Sequence, residues 1–519
     1  MQMNPEFENK LLNGMKEMTN YTLTENGGIT HKTTQSDLLD MFAMSSAMRN
    51  RSDEDVILMF KKAFAENAEL AMKMLFYIRD IRGGQGERRF FRTIVKWAAG
   101  NSKTRESIRK NIQYFPEFGR WDDLYALCDT ILENDVFDLI KQQLALDVEC
   151  QTPSLLAKWL KSENASSVET RRLATITRQH LNMSHREYRK TLSILRARIN
   201  VLEVLMSANR WDEIEFDKIP SKAGFIYKNA FARRDIIKEK YRKFMMDETT
   251  QVNAGALYPY EVVAKAIDEF MYSYRWHRDM KMTEEETVKR AALNKYWENL
   301  TDYFNGAKLN ALCMVDTSGS MSGTPIDVAV SLGLYCAERN KGPWHNTYIS
   351  FSSRPQLIET VGVDFVDKVC RIASTNLCEN TNIEAAFDLI LNTAIKNKLS
   401  DEDLPEHLII ISDMEFDSAT YTGTYPWRPD WAGYVSTENV DTVMESIERK
   451  FNAAGYHLPK IIYWNVDARQ ANIPMIKDGY VSYVSGFSPS IFQTIMSGKT
   501  GYELMLETIT SERYSCIHA

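Results

Sequence analysis

The sequence predicts a chain in two parts, an α-helical repeat followed by an α/β doubly wound parallel sheet, and three observations predict it. Residues 52–245 carry apolar side chains at helical spacing almost throughout. From about residue 307, short apolar runs rich in β-formers alternate with helical stretches. The first of those runs ends in an acidic, hydroxyl-rich turn, "DTSGS" at 316–320, the kind of strand-end loop on which such sheets build sites.

In the first half, "SDEDVILMFKKAFAENAELAMKMLFYIRD" opens on Ser52, an N-cap with Asp55 three places on. Apolar residues then recur at Val56, Met59/Phe60, Ala63/Phe64, Leu70/Ala71, Met74/Leu75 and Ile78, with a break at Asn67. Similar patterns run over 102–147, 168–207 and 229–245. Successive amphipathic helices with short polar joints predict a stacked repeat, although no strict repeat period is visible.

In the second half, "ALCMVD" (311–316), "TYISF" (347–351), "HLIIISD" (407–413) and "KIIYWN" (460–465) read as strands. Helical stretches at 325–340, 382–398 and 437–454 separate them, which predicts a parallel sheet with helices on both faces. Residues 414–436, with Gly, Pro and Trp/Tyr-rich turns, read as a long loop over the functional edge.

Composition narrows the class. A chain of 519 residues, 44% hydrophobic and 26% charged, has room for two domains and a sizeable core. No apolar run approaches the roughly 20 residues of a membrane span, and "MQMNPEFENKLL" lacks the pattern of a secretory signal. Seven scattered cysteines without CxxC pairs argue against a zinc ribbon or disulfide framework. The expectation is a cytoplasmic, intracellular protein without membrane contact. The net charge of −7 is uneven: residues 171–243 hold 18 Lys and Arg against 8 Asp and Glu, a local +10 that leaves −17 elsewhere. A basic block of this kind is either a polyanion footprint or a set of solvated helix faces.

Asp316 and Asp413 each end a predicted strand, so both carboxylates belong on the carboxyl edge of the sheet, where ligands bind in such folds. Ser318 and Ser320 follow in the first strand–helix loop, and Thr381 in "CENTNIEAAF" precedes another helix. Two carboxylates with three hydroxyls make an all-oxygen shell suited to Mg²⁺ or another divalent cation. The competing reading is that Ser318 and Ser320 cap the helix near Pro325, which leaves Thr381 and Asp413 unexplained. Glu415 and Asp417 in "DMEFD" stand beside the site as an acidic rim. No Ser-His-Asp or Cys-His set and no GxxxxGK[ST] loop is present, His407 lies at the far end of its strand, and no general base for a nuclease is visible. The protein reads as a non-enzyme.

The pattern "DTSGS…T…SD" resembles the metal-ion-dependent adhesion site of von Willebrand factor A domains, which implies the same five residues as the metal shell. "FYIRDIRGGQGERRFFRTIVKW" (76–97), "YFPEFGRWDDLYAL" (114–127), "LLAKWLKSENASS" (155–167) and "IPSKAGFIYKNAFARRD" (219–235) resemble the TROVE module of Ro autoantigens and of telomerase- and vault-associated proteins. They are still more similar to a divergent group of TROVE-plus-von-Willebrand proteins of plants, fungi, bacteria and large viruses, as are "YWNVD" (463–467) and "VSGFSPSIFQ" (484–493). The resemblance covers roughly residues 22–497. It implies a HEAT-like helical ring at 1–305 and a von Willebrand factor A domain at 306–519, in a monomeric ring. In the Ro branch the basic ring binds small noncoding RNAs and single-stranded ends of misfolded RNAs.

Candidate RNA contacts are Arg79, Arg82, Arg88, Arg89 and Arg92 around "GGQG", and Arg171, Arg172, Arg186, Arg189, Lys190, Arg196 and Arg198 in the basic block. His185, Tyr188 and Trp211 could stack unpaired bases. Each has a bland counterpart: Arg79–Asp80 and Arg120–Asp122/Asp123 as intradomain ion pairs, Trp121, Trp159 and Trp211 as core anchors, "GGQG" as a helix stop. Two functional expectations result: RNA binding through the basic helical ring, or Mg²⁺-dependent binding of an acidic protein ligand at the hydroxyl–carboxylate site.

Overall fold

The computed structural model describes residues 19–199, 201–276, 282–351, 355–375, 381–417, 442–470, 472–476, 481–495, 499 and 501–519. These residues form two compact units whose chain segments interleave. One takes the described residues up to Ser52 together with those of 302–363 and 371–508. The other takes 53–301, 364–370 and 509–519. A single cut at 305/306 therefore does not separate them.

The first unit is built on a six-stranded sheet. Its strands are β3 (Ala311–Asp316), β4 (Thr347–Phe351), β5 (Gln356–Glu359), β6 (His407–Ser412), β7 (Lys460–Asn465) and β8 (Val481–Ser485), following the hairpin strands β1 (Tyr21–Leu23) and β2 (Ile29–His31). The order across the sheet is β5-β4-β3-β6-β7-β8, all parallel except the edge strand β5, which pairs antiparallel with β4. Every residue of Ala311–Asp316 and of Val481–Ser485 is buried, so both faces are covered, as a parallel sheet requires. β5, mostly exposed, and β8 are the strands that the sequence reading did not include.

The connectivity makes a switch point. From β3 the chain crosses through the helix Thr324–Arg339 to β4 on one side; later strands are added on the other side, starting with β6. The loops after β3 and β6 diverge there and leave a crevice between their carboxyl ends. The Thr324–Arg339 helix lies close on β3: a Cβ added at Gly333 would stand 2.5 Å from Val315 Cγ2.

The hairpin β1–β2 turns through Thr24–Gly28, with Gly27 at φ 83 and the Thr24 N–H donating to Gly28 O at 2.8 Å. His31 and Ile473 exchange both backbone hydrogen bonds, at 3.1 and 2.9 Å, and so fasten the hairpin to the loop after β7. The helix Asp37–Met44, capped by Ser36, packs on β8. Neither element is in the sequence reading.

The second unit is helical. The break expected at Asn67 is present: its side chain accepts from the Leu70 N–H at 3.0 Å and starts the helix Ala68–Arg79. Phe76, Phe91, Phe115 and Phe118 pack edge to face in its core. The later helices include Pro259–Trp276 and Glu284–Glu298, beyond the span read as helical from the sequence. Two distant segments complete this unit. Asp364 accepts both Nε and NH2 of Arg290 at 2.7 Å, while Phe365 stacks on Trp297. From the other end, Arg513 and Tyr514 both reach Asp80, with Tyr514 stacked on Phe118. Of the loop expected at 414–436, residues 418–436 lie outside the described residues.

Candidate functional site

The crevice between β3 and β6 is lined by the residues that the spacing singled out. Asp316, the last residue of β3, is fully buried. Its Oδ1 accepts from the Ser318 N–H at 2.9 Å and its Oδ2 from the Ser412 hydroxyl at 2.6 Å. Asp413 follows β6, also buried, with Oδ1 accepting from the Glu415 N–H at 3.1 Å. Burial, and then the neighbouring Asp413 charge, push the Asp316 carboxyl above its ordinary range. Two carboxylates are thus held together in a dry place, an arrangement that needs positive charge.

The serine hydroxyls are not spent on helix caps. Ser318 and Ser320 lie with their Oγ atoms 3.0 Å apart. Neither caps a helix: the Thr324–Arg339 helix begins after Gly323 with no side-chain cap, and Ser318 makes none at the short 319–321 turn. Thr381 is likewise not a cap, since Asn382 serves the Ile383–Asn397 helix. Its carbonyl accepts from the Asp417 N–H at 3.1 Å, which ties it to the loop after β6. That loop turns at Met414, at φ 65, steadied by the Ser412 hydroxyl accepting its N–H at 3.0 Å.

Glu415 is fully buried and its Oε1 has no hydrogen-bond partner; burial raises its carboxyl to about 7. Asp417 is raised for the same reason. Among the described residues no group of three or more His, Cys, Asp and Glu side chains converges as a metal cage. A cation here would rest on two carboxylates and hydroxyl oxygens, a donor set for a hard ion rather than for zinc or copper. Two buried carboxylates with hydroxyl oxygens beside them are donors that suit such an ion.

Four further residues belong to the site and were missed. Ser412 fixes Asp316, as above. Arg469, four residues after β7, contacts Asp413 Oδ2 through NH2 at 2.6 Å and Glu25 Oε2 through NH1 at 3.0 Å. Glu25 and Asn26 come from the hairpin turn: the Glu25 N–H donates to Glu415 Oε2 at 2.7 Å, and Asn26 Nδ2 to Glu415 O at 2.5 Å and Thr381 Oγ1 at 3.3 Å. The "ENGG" string signals a hairpin. Nothing local in it says where the hairpin docks.

The basic residues of the helical unit are placed otherwise than expected. Arg79 is 1% exposed and its guanidinium is joined to Asp123, not Asp80, so it is removed from the candidate phosphate contacts. Arg92 pairs with Asp122 and Asp123, Arg89 with Asp53, and Arg82 donates to Glu117 O. Arg172 is held by Asp129 and Glu169, and Arg171 by the carbonyls of Ala165 and Ser166. Arg196 caps the carbonyls of Ala157 and Leu160, and Arg198 that of Val148. Tyr188 and Trp211 are buried, which corrects the expectation of stacking surfaces: aromatic faces in a core cannot receive bases. Arg88 remains exposed, as do His185, Arg186, Arg189 and Lys190 along one helix; Arg186 and Lys190 make no ion pair among the described residues, while His185 meets Glu163 at 2.7 Å. The left-handed helix stop expected at "GGQG" is not what the structure has: the Ala68–Arg79 helix ends at Asp80 with φ −58, and Gly86, at φ 70, stands just before Glu87, which caps the next helix.

A family model described as a domain of unknown function (DUF2828) matches residues 24–180 and 152–306, together more than half of the chain. The chain belongs to that family. A second domain of unknown function (DUF7788) matches residues 310–514, and with them the whole strand-end constellation. The chain is 29% identical over 526 residues to the uncharacterized protein L728 of Acanthamoeba polyphaga mimivirus, covering 93% of this chain and 86% of that protein. The crystal structure of the Deinococcus radiodurans RO (RSR) protein aligns over 92% of this chain and 93% of its own, at 12% identity and a TM-score of 0.39. No described helix is long and apolar enough to cross a membrane.

Proposed function

We propose that the protein is a non-catalytic binding protein whose working site is a divalent-cation site, Mg²⁺ in the first place, at the crevice between β3 and β6. The observation that carries this reading is the pair of buried carboxylates, Asp316 and Asp413, at the ends of neighbouring strands, with the Ser318 and Ser320 hydroxyls unused by any helix cap. Asp316, Ser318, Ser320, Thr381 and Asp413 would hold the ion. When bound, it supplies a fixed positive centre that accepts an oxygen donor from an acidic protein ligand. The chain's own groups do the rest: Ser412 orients Asp316, and the backbone N–H groups of Ser318 and Glu415 fix one oxygen of each carboxylate.

The test uses Mn²⁺ as probe, with free ion counted by electron paramagnetic resonance in titrations of the full chain. Asp316→Asn and the Ser318→Ala/Ser320→Ala pair are expected to weaken binding by about tenfold or more, at unchanged melting temperature. Unchanged Mn²⁺ binding in both variants sinks the assignment.

A second reading, RNA binding by the helical unit, is supported by the exposed row His185, Arg186, Arg189 and Lys190 on one helix, within the +10 segment. It is the narrower form of the basic-ring expectation, because most other arginines named for it serve the fold.

A further inference from the structure

Two of the five candidate ligands are engaged by donors tied to the same hairpin tip. Asp413 Oδ2 is held by Arg469 NH2 at 2.6 Å. Thr381 Oγ1 is held by Asn26 Nδ2 at 3.3 Å. Asn26 adjoins Glu25, and Glu25 is paired with Arg469 at 3.0 Å. The guanidinium therefore bridges the sheet-edge carboxylate to the tip.

Further contacts hold both partners in place. Arg469 is positioned by its carbonyl, which accepts from Arg51 NH1 at 2.7 Å, and by the Ala468 N–H donating to Ala47 O at 3.0 Å. The tip is anchored behind its point by Thr24 Oγ1 donating to Phe416 O at 2.6 Å. At Gly28 a Cβ would stand 2.5 Å from Phe416 O, so the two backbones are in contact. Between the buried Thr24 and Gly28 the tip, Glu25 to Gly27, is exposed. The hairpin is fixed on either side of a point that reaches solvent.

Charge makes the arrangement incomplete. Asp316, Asp413 and Glu415 are all buried at this edge, and Arg469 is the guanidinium against them, with Glu25 taking part of its charge. A divalent ion held by Asp316, Asp413 and Thr381 would compete with Arg469 for Asp413 and with Asn26 for the Thr381 hydroxyl.

We propose that Arg469 is the resident cation of this site, displaced from Asp413 when a divalent ion binds, and that the displacement loosens the Glu25–Asn26 tip from Thr381. Arg469 and Asn26 are positioning residues, and the tip covers the face an acidic ligand would approach. The inference rests on the cation reading above. Coupling of this kind is reciprocal: whatever holds the tip down weakens the ion, and the ion loosens the tip to the same degree.

Mn²⁺ titration of the full chain, with hydrogen exchange of residues 19–33 read with and without Mg²⁺, tests it. Arg469→Gln is expected to bind Mn²⁺ about fivefold or more tightly than the parent, and Arg469→Lys to return towards it. Asn26→Ala, on the exposed tip, is expected to raise affinity in the same direction. Mg²⁺ is expected to speed exchange at 24–28 in the parent and to do so less in Arg469→Gln, whose tip has already lost its tie to Asp413. If the parent binds Mn²⁺ while Arg469→Gln and Asn26→Ala bind it equally or more weakly, and exchange at 24–28 ignores Mg²⁺, the displacement is overturned and the cation site stands. If neither the parent nor Arg469→Gln binds Mn²⁺, the cation reading falls, and this inference with it.

Discussion

Arg79 and Asp123 meet inside the helical unit, Nε and NH2 of the arginine lying 2.9 and 2.7 Å from a single carboxylate oxygen, Oδ2. The same oxygen accepts the Arg120 N–H at 2.9 Å, while Oδ1 takes Arg92 Nε at 2.7 Å. Arg79 and Asp123 are 1% and 0% exposed. Asp123 is thus the hub joining the Ala68–Arg79 and Arg88–Gly100 helices to the turn at Trp121.

Removing Arg79 takes two charged donors from buried Asp123 and leaves Arg92 as its partner, a partial loss of a buried network that costs about 3 kcal/mol. Arg79→Met is expected to destabilise the protein to that extent in urea unfolding. RNA affinity, where present, should be unchanged once the protein is folded, because the guanidinium never reaches the surface.

RNA contact instead belongs to the exposed row. Reversing Arg186, Arg189 and Lys190 to Glu should weaken binding of a single-stranded RNA probe and lower its salt slope by roughly 2–3, one for each phosphate left without its cation. Substituting Arg196 and Arg198 should reduce stability instead. Equal affinities and slopes for the row variant and its parent would end the RNA reading.

Asp364 supplies a pH dependence. Burial pulls its carboxyl up, but the Arg290 and Asn294 hydrogen bonds and the Asp367 N–H outweigh that and hold it below the ordinary carboxylate range. A carboxyl lowered in the folded state contributes stability that is present above its unfolded value, 3.8, and lost as pH falls through the folded one. Asp364→Asn should therefore be destabilised at pH 7, and the gap to the parent should close in acid. Melting curves from pH 7 to pH 2.5 give the comparison.

At Gly333 two effects oppose each other. Alanine gains about 1 kcal/mol in helix propensity, but its Cβ would meet Val315 Cγ2 at 2.5 Å. Overpacking against a β-branched core residue costs about 1–3 kcal/mol. Gly333→Ala is expected to lower the melting temperature, whereas alanine at an exposed helix position would raise it.

How far the sequence could be read follows from the range of each interaction. β3, β4, β6 and β7 lie within a residue of the expected runs, because apolar runs between turn signals are local. Asp316 and Asp413 were readable for the same reason: strand ends on a parallel sheet share an edge. β5 and the hairpin were not, since three- and four-residue strands hold too few apolar positions for a pattern. Arg469 was invisible as a site residue, because its role depends on contacts to Asp413, 56 positions away, and to Glu25 at the other end of the chain. For Arg172, composition showed a positive segment, whereas its partners Asp129 and Glu169 lie outside it; Arg79 and Arg89 find theirs in Asp123 and Asp53, 44 and 36 positions away.

The anchoring of Asp80 by Arg513 and Tyr514, 433 and 434 positions later, sets an order for making this protein in the cell. The helical unit begins to emerge early from the ribosome, yet the partners of its Asp80 are translated only after the whole sheet. Until then a carboxylate destined for burial stands unneutralised beside Phe118. The helical half therefore stays incomplete until residues 509–519 have been made.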